Sequence, residues 1–175
     1  MKLAVLSYSL TGNNDALAEH IAKELNAKHI RITELQKRTN GTITADLIFG
    51  KTPVTAPNPQ VLSEYDFIIL AAPVWMSQPA FPLRAYLKHL KEHPKNYAYV
   101  SISGGAMNAN PGLASALKKR TGYAPLALID LHIADLLPAE PKPTAQATSA
   151  YRLTAGEIEK LTQCAVSLLK ENLPK

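Results

Sequence analysis

Hydroxyl and amide side chains are concentrated in one short stretch near the start of the chain. The stretch consists of Ser9, Leu10, Thr11, Gly12, Asn13 and Asn14. Its hydroxyls and amides can donate hydrogen bonds to an anion, Gly12 permits close approach of the backbone, and Leu10 offers its backbone N–H. A phosphate monoester needs such donors. The stretch therefore predicts a phosphate-binding loop, with an ordinary turn capped by Ser, Thr and Asn as the alternative.

The segments on either side predict that this loop joins a strand to a helix. Leu3–Leu6 is a short apolar run typical of a buried strand. Within Asp15–Leu25, Leu17 and Ile21 belong to an apolar series that recurs every four residues, as on one face of a helix. The start of that helix would direct free N–H groups and a positive dipole end at the loop. The loop lacks the Lys of the GxxxxGK(S/T) nucleotide motif and the GxGxxG fingerprint of dinucleotide sites.

Two more loops with distinctive residues follow predicted strands. Tyr65–Ala72 holds a near-continuous apolar run, which predicts a strand covered on both faces, and a loop over Pro73–Pro79 follows. Tyr97–Ser103 predicts another strand, and a glycine pair follows it. The candidate residues of these loops are Pro73, Val74, Trp75, Ser103, Gly104 and Gly105. Trp75 either packs on an aromatic ligand or covers the sheet edge, and the glycines either admit a ligand or form a turn with positive φ.

The middle of the chain continues the alternation of strands and helices. Lys28–Thr33 predicts a strand in a less buried part of the sheet. Thr42–Gly50 predicts a short helix closed by its glycine. Prolines at positions 53, 57 and 59 indicate an extended connection, and Pro82 suits the first turn of the next helix.

The last third supplies the remaining elements. Asn110 and Pro111 predict a helix start, with Asn110 as cap, and Gly122 marks the end of that helix. Ala124–Leu131 predicts a fifth strand, and apolar periodicity predicts a closing helix over 155–171. Alternating strands and helices form a parallel sheet with helices on both faces. Ligands bind such sheets beyond the carboxyl ends of the strands, so we expect the three loops to converge there.

The composition is typical of a soluble globular protein, and we expect one domain over residues 1–175. Hydrophobic residues make up 46% and charged residues 19% of the 175 residues, which suffices for a core. Cys164 is the single cysteine, so an intrachain disulfide is excluded and no Cys/His metal cluster is expected. No apolar run reaches the length of a membrane span and no signal segment is recognisable, so we expect a cytoplasmic protein.

The formal net charge of the chain is +5 at pH 7, which could indicate an anionic partner. The basic residues are spread along the sequence, in small groups such as Lys37–Arg38 and Lys118–Arg120. No basic stripe with interleaved aromatic residues occurs, so we expect no nucleic-acid partner. The five histidines are scattered as well, and none is assigned a catalytic role.

The three loops together resemble those of a known family. Tyr8–Asn13 is similar to a phosphate-loop signature, and Ser103–Gly105 is similar to a third loop. Ala72–Trp75, followed by Pro79–Ala85, is similar to a second loop. The family is the flavodoxin superfamily, and the resemblance implies a flavodoxin-like, doubly wound α/β fold with five parallel strands in the order 2-1-3-4-5. It also implies non-covalent FMN, with its phosphate in the first loop and its flavin at the other two.

Two departures from the family's pattern bear on function. Asn14 stands where the family often has Thr, a small change because its amide and backbone N–H can still donate. Flavodoxins that shuttle electrons are typically strongly acidic, whereas this chain is basic. We therefore favour an FMN-dependent oxidoreductase, such as an NAD(P)H-dependent reductase of quinone-like acceptors, over a one-electron carrier flavodoxin.

A flavodoxin-like interaction module without FMN is a further alternative. A phosphate-handling hydrolase is disfavoured because the first loop lacks a Cys and adjacent metal-binding carboxylates.

The second loop also bears on how many electrons the flavin would carry. Redox chemistry would belong to the cofactor, so no catalytic residue is assigned. Trp75–Gln78 contains no glycine, and non-glycine residues resist positive φ by about 1 kcal/mol or more. We therefore expect the peptide rearrangement that stabilises a one-electron-reduced flavin in flavodoxins to be less favourable here, which favours a two-electron role.

Overall fold

The computed structural model describes residues 1–35, 52–104 and 110–174. A five-stranded parallel β-sheet lies at the centre of the described fold. The strands are, in chain order, β1 (Leu3–Ser7), β2 (Lys28–Arg31), β3 (Thr33–Glu34), β4 (Thr55–Ala56), β5 (Phe67–Ala71), β6 (Val74–Trp75), β7 (Gln78–Pro79), β8 (Asn96–Ser103) and β9 (Ala127–His132). The sheet has the order β2-β1-β5-β8-β9, with every neighbouring pair parallel. Counting only these five strands, this is the predicted order 2-1-3-4-5. Two small antiparallel pairs, β3–β4 and β6–β7, lie outside the sheet.

Helices cover both faces of the sheet, as predicted. They are α1 (Asn13–Glu24), α2 (Arg84–Glu92), α3 (Leu113–Thr121), α4 (Ala145–Ala150) and α5 (Ala155–Asn172), with short 3-10 turns at Pro59–Glu64, Phe81–Leu83 and Ile133–Leu136. Helices α1 and α5 pack in the hydrophobic core on one face, and α2 and α3 pack in the core on the other face.

The apolar run of β5 is continuous because both sides of this central strand are buried. Ile68 and Leu70 point into the core shared with α2 and α3. Phe67, Ile69 and Ala71 point into the core shared with α1 and α5. Successive side chains of a strand face opposite sides, so a strand between two helical layers needs apolar residues at every position.

The start of α3 differs from the predicted one. The helix begins at Leu113 rather than at Pro111, although it ends at Thr121 as expected, where Gly122 has φ +91°. The reason is that the Asn110 side chain is used elsewhere: its Nδ2 donates to Asp130 Oδ2 at 2.9 Å. The predicted helix over Thr42–Gly50 lies outside the described residues. No helix among the described residues is long and apolar enough to cross a membrane.

Candidate functional site

A cavity of about 440 Å³ lies beyond the carboxyl ends of β1, β5 and β8. Its lining residues are Leu10, Thr11, Asn13, Asn14, Pro73, Val74, Trp75, Met76, Phe81, Ile102, Gly104, Ile133, Thr148 and Ser149. All three predicted loops contribute to this lining, so they converge on one space. The volume is within the range of small-molecule sites.

The first loop turns sharply into α1. Gly12 has φ +92°, a left-handed conformation that favours glycine, and α1 begins at the next residue. Ser9 Oγ accepts hydrogen bonds from the backbone N–H of Gly12 at 2.9 Å and of Asn14 at 3.2 Å. The N–H groups at the start of a helix have no carbonyl partner within that helix, so they need an acceptor from elsewhere. The Ser9 hydroxyl thus accepts from two of the N–H groups at the start of α1 and fixes the shape of the first loop.

The side-chain amides of Asn13 and Asn14 are predicted to donate to a phosphate, but both form hydrogen bonds with backbone groups of the protein instead. Asn14 exchanges two hydrogen bonds with the backbone of Ile102, at 2.9 and 3.0 Å. Asn13 Nδ2 donates to the carbonyl of Tyr151 at 3.0 Å, and its Oδ1 accepts from the N–H of Leu153 at 3.1 Å. Because α1 begins at Asn13, two residues earlier than expected, both side chains turn inward and tie the first loop to distant segments.

Trp75 lies at the cavity between two other aromatic rings. Its ring meets Tyr8 at a centroid distance of 5.9 Å and Phe81 at 5.4 Å, both nearly perpendicular. Such edge-to-face contacts are favourable and fix the indole plane. Stacking of Trp75 on a ligand ring stays a prediction, and the indole is positioned at the space where it would occur.

The second loop is a tight hairpin, and this overturns an expectation about its backbone. Met76 has φ +51° and Ser77 has φ +58°, although both are non-glycine residues. They are the two central residues between β6 and β7, where a two-residue turn needs positive φ to match the twist of its strands. The premise that this loop avoids positive φ is therefore wrong. The expectation of a two-electron role stays a prediction without that support.

The glycine of the third loop is required by a close approach, not by a turn. Gly104 does not have a positive φ. A Cβ atom at this position would lie 2.7 Å from the carbonyl oxygen of Thr148 in α4. Any side chain at position 104 would therefore push α4, which forms one wall of the cavity, away from the sheet. Gly105, also a candidate, lies outside the described residues.

A partly buried carboxylate, that of Asp130, holds the two ends of the third loop. Asp130 accepts from Ser101 Oγ at 2.7 Å and from the backbone N–H of Asn110 at 3.0 Å. Its neighbour His132 lies 3.4 Å away through Nε2 and also contacts Ser103 Oγ through Nδ1 at 3.2 Å. Burial by itself raises the pKa of the Asp130 carboxyl, but hydrogen bonds from Asn110 and Ser101 outweigh it and hold the pKa below its usual range.

The sequence analysis identified much of the cavity and missed part of it. The predicted residues that line it are Leu10, Thr11, Asn13, Asn14, Pro73, Val74, Trp75 and Gly104. Ser9, Gly12 and Ser103 lie outside this lining, although Ser9 and Gly12 shape the first loop. The residues that were missed are Met76, Phe81, Ile102, Ile133, Thr148 and Ser149. Thr148 and Ser149 come from α4, whose only sequence signal is the cap at Thr144. Among the described residues, no group of three His, Cys, Asp or Glu could hold a metal ion.

Comparisons with known proteins support the fold. No protein-family model and no curated protein sequence matches the chain. A flavoprotein from Lactobacillus acidophilus NCFM, solved in complex with FMN, has a TM-score of 0.63 at 22% identity, over 74% of this chain and 92% of that one. The Trp repressor binding protein from Bacillus subtilis has a TM-score of 0.55 at 16% identity, over 99% of this chain and 100% of that one.

A flavodoxin from the domain Archaea has a TM-score of 0.53 at 14% identity and covers 98% of each chain. The superpositions with these three proteins cover 92–100% of their chains. At such identities the likeness concerns the fold, and the chain therefore has the fold of the flavodoxin-like flavoproteins.

Proposed function

We propose that this chain binds FMN in the cavity and acts as a redox flavoprotein. The observation that supports this most strongly is the convergence of the three loops on one space. Backbone donors lie at one end of it, and mostly apolar side chains line the rest. FMN has the two matching parts, a phosphate and a large flat ring. The Lactobacillus acidophilus neighbour, which was solved with FMN, also supports the proposal.

The first loop and the start of α1 would hold the phosphate. We assign this role to the hydroxyls of Ser9 and Thr11 and to the backbone N–H of Leu10. The backbone N–H groups of Gly12 and Asn14 donate to Ser9 Oγ in this structure and would exchange that acceptor for a phosphate oxygen. The amides of Asn13 and Asn14 are bonded within the protein, so they contribute less than the sequence suggested. An anion at a helix N-terminus is favoured by both the free donors and the helix dipole.

The second and third loops would hold the ring. Pro73, Val74 and Trp75 offer an apolar wall, and Gly104 keeps the opposite side narrow. The cofactor supplies the redox chemistry when it is bound, whereas the protein orients it and limits access of water. No side chain is needed as a nucleophile or general base.

We further propose an oxidoreductase, an NAD(P)H-dependent reductase of quinone-like acceptors. Support comes from two apolar side chains that line the cavity and are exposed, Leu10 at 56% and Met76 at 76%. Exposed apolar residues beside a cavity suit the docking of a flat apolar molecule. Reduction of the loaded protein by NADH and NADPH, followed by addition of a benzoquinone, tests this finer proposal.

Comparison of FMN with riboflavin tests the cofactor proposal. FMN should bind with one molecule per chain and quench the fluorescence of Trp75, the only tryptophan. Riboflavin lacks the phosphate, so it should bind at least about tenfold more weakly, since charged hydrogen bonds contribute about 1.5–3 kcal/mol. Thr11→Glu should abolish FMN binding by crowding and repulsion, and the exposed Thr52→Glu serves as the matched control. Equal affinity for the two flavins in calorimetry would exclude a phosphate site in the first loop.

A further inference from the structure

A second cavity, of about 780 Å³, forms a groove between α2 and α3. The cationic side chains that line it are Arg84, Lys88, Lys91, Lys119 and Arg120. The described residues that line this groove include no Asp or Glu. We refer to it as the basic groove. The β6–β7 hairpin borders both cavities, because Gln78 lines the basic groove and Trp75 lines the first cavity.

The helical spacing explains why the cations meet in the basic groove. Arg84, Lys88 and Lys91 are four and three residues apart, so they share one face of α2. Lys119 and Arg120 lie in the last turn of α3, which packs against α2. The groove therefore gathers five positive charges from two segments that the sequence separates by more than twenty residues.

The cations around the groove repel one another, and the described residues that line it include no carboxylate to offset this repulsion. Lys88 Nζ lies 3.7 Å from Glu92 Oε1, but both side chains are largely exposed. Exposed pairs of this kind contribute little. An anion bound between the two rows of cations would remove the repulsion, since it would be attracted to all of them at short range.

Arg120 provides the observation that points to a bound group. Its side chain is half-buried, and among the described residues its Nε is buried without a hydrogen-bond partner. Its Nη2 makes only a long contact with Gln78 Oε1, at 3.4 Å. Burial lowers the pKa of the Arg120 guanidinium. A buried donor without a partner is costly, so an acceptor in the groove would satisfy a hydrogen bond that the protein leaves open.

We propose that the basic groove binds a small soluble phosphate compound with a pyrophosphate group, such as a nucleoside diphosphate. Guanidinium forks and lysine ammonium groups are the preferred protein partners of phosphate oxygens. The volume exceeds what a single inorganic phosphate would fill, and two rows of cations match two linked phosphates. The small residues Gly112, Ser115 and Ala116 also line the groove and leave this space open. This site does not depend on FMN in the first cavity.

Isothermal titration with inorganic pyrophosphate, ADP and AMP tests the proposal in the full chain. Because the first loop is also expected to bind a phosphate, the titrations are run with saturating FMN and repeated with Thr11→Glu. Pyrophosphate and ADP should bind with one molecule per chain, more tightly than AMP, and more weakly as salt rises. Lys119→Gln/Arg120→Gln should weaken pyrophosphate binding at least about tenfold.

The controls separate a built site from the general charge of the chain. Lys142→Gln/Lys160→Gln also removes two positive charges, but from exposed positions outside the groove, and should leave the affinity for pyrophosphate unchanged. Lys88→Gln/Lys91→Gln, both exposed, should weaken binding without disturbing the half-buried Arg120.

Equal losses of pyrophosphate affinity in the groove and control variants would overturn the proposal, as would the absence of pyrophosphate binding at millimolar concentration. Binding of polyglutamate but not of pyrophosphate would overturn it in favour of an acidic protein partner. Loss of FMN binding with retained pyrophosphate binding would count against the proposed function alone.

Discussion

Asn14, which is buried, and Asp130, which is partly buried, fix the loops around the first cavity. Asn14 pairs with the backbone of Ile102 as a strand neighbour would, and so joins the first loop to the end of β8. Asp130 joins Ser101 to Asn110 across the third loop. Removal of one member of a buried pair leaves the other without a partner, which costs more than the bond itself contributes. The shape of the cavity therefore depends on hydrogen bonds within the protein as well as on the groups that face a ligand.

Asp130→Asn should lower the free energy of unfolding by about 1–3 kcal/mol at pH 7, because Ser101 and Asn110 lose a charged acceptor. The pKa of Asp130 is lower in the folded protein than its ordinary value of 3.8. The contribution of the carboxylate is thus complete above that value and is lost as the pH falls through the folded pKa. Urea unfolding at pH 7 and pH 3 should show a smaller difference between wild type and variant at pH 3. Asp135→Asn, at an exposed site, is the control, and a difference independent of pH would contradict the role of the charge.

Among the elements, the β6–β7 hairpin contributes residues to the lining of both the first cavity and the basic groove. Trp75 lines the first cavity and Gln78 lines the basic groove. The turn packs tightly on the start of α3, since a Cβ atom at Gly112 would lie 3.0 Å from Cβ of Ser77. Two central residues with positive φ cost about 1–2 kcal/mol each relative to an ordinary conformation. The hairpin therefore persists because of its surroundings and in spite of its own turn residues.

Met76→Asn should raise the free energy of unfolding by about 0.5–1 kcal/mol. Asn tolerates the left-handed conformation that Met76 adopts with φ +51°, and it is favoured in such hairpin turns. Little packing is lost, because Met76 is 76% exposed. Val54→Asn, at a residue that is 66% exposed and has no positive φ, should bring no such gain. Midpoints of urea unfolding measure both variants, and an equal effect in the two would refute the strain at position 76.

At the scale of the whole molecule, the first cavity is formed by segments from both ends of the chain. The first loop, the hairpin, Gly104 and α4 all contribute to its lining. A ligand that bridges them can bind only the folded chain, so its binding free energy adds to the stability of the entire fold. The positive net charge of +5 is distributed unevenly over this fold, because five cations line the basic groove.

FMN should therefore raise the thermal midpoint of the whole protein. A concentration 100 times the Kd stabilises the folded state by about 2.7 kcal/mol. For a chain of this size, this corresponds to about 5–10 °C. Differential scanning calorimetry should show one shifted transition with FMN and a smaller shift with the same concentration of riboflavin. Thr11→Glu should show no shift with FMN, and an unshifted wild-type transition would contradict the cofactor proposal.

The amino-acid sequence by itself determined the order of elements and the position of the three loops. Apolar runs, helical periodicity and the Gly122 stop are local signals, and parallel strands place their carboxyl ends at one edge. The convergence of Thr11, Trp75 and Gly104 on one cavity could therefore be predicted without coordinates. The boundaries of α1 and α3 could not, because Asn13 and Asn110 bind partners far along the chain.

Only the tertiary structure decided which groups of the site are free and which are engaged. The inward turn of the Asn14 amide, the contact of Gly104 with Thr148 and the positive φ of Met76 all depend on neighbours distant in sequence. The same holds for the basic groove, whose charges look scattered along the chain until α2 packs on α3. Local sequence specifies backbone preference and polarity, whereas the partner of each polar group depends on which surfaces the fold brings together.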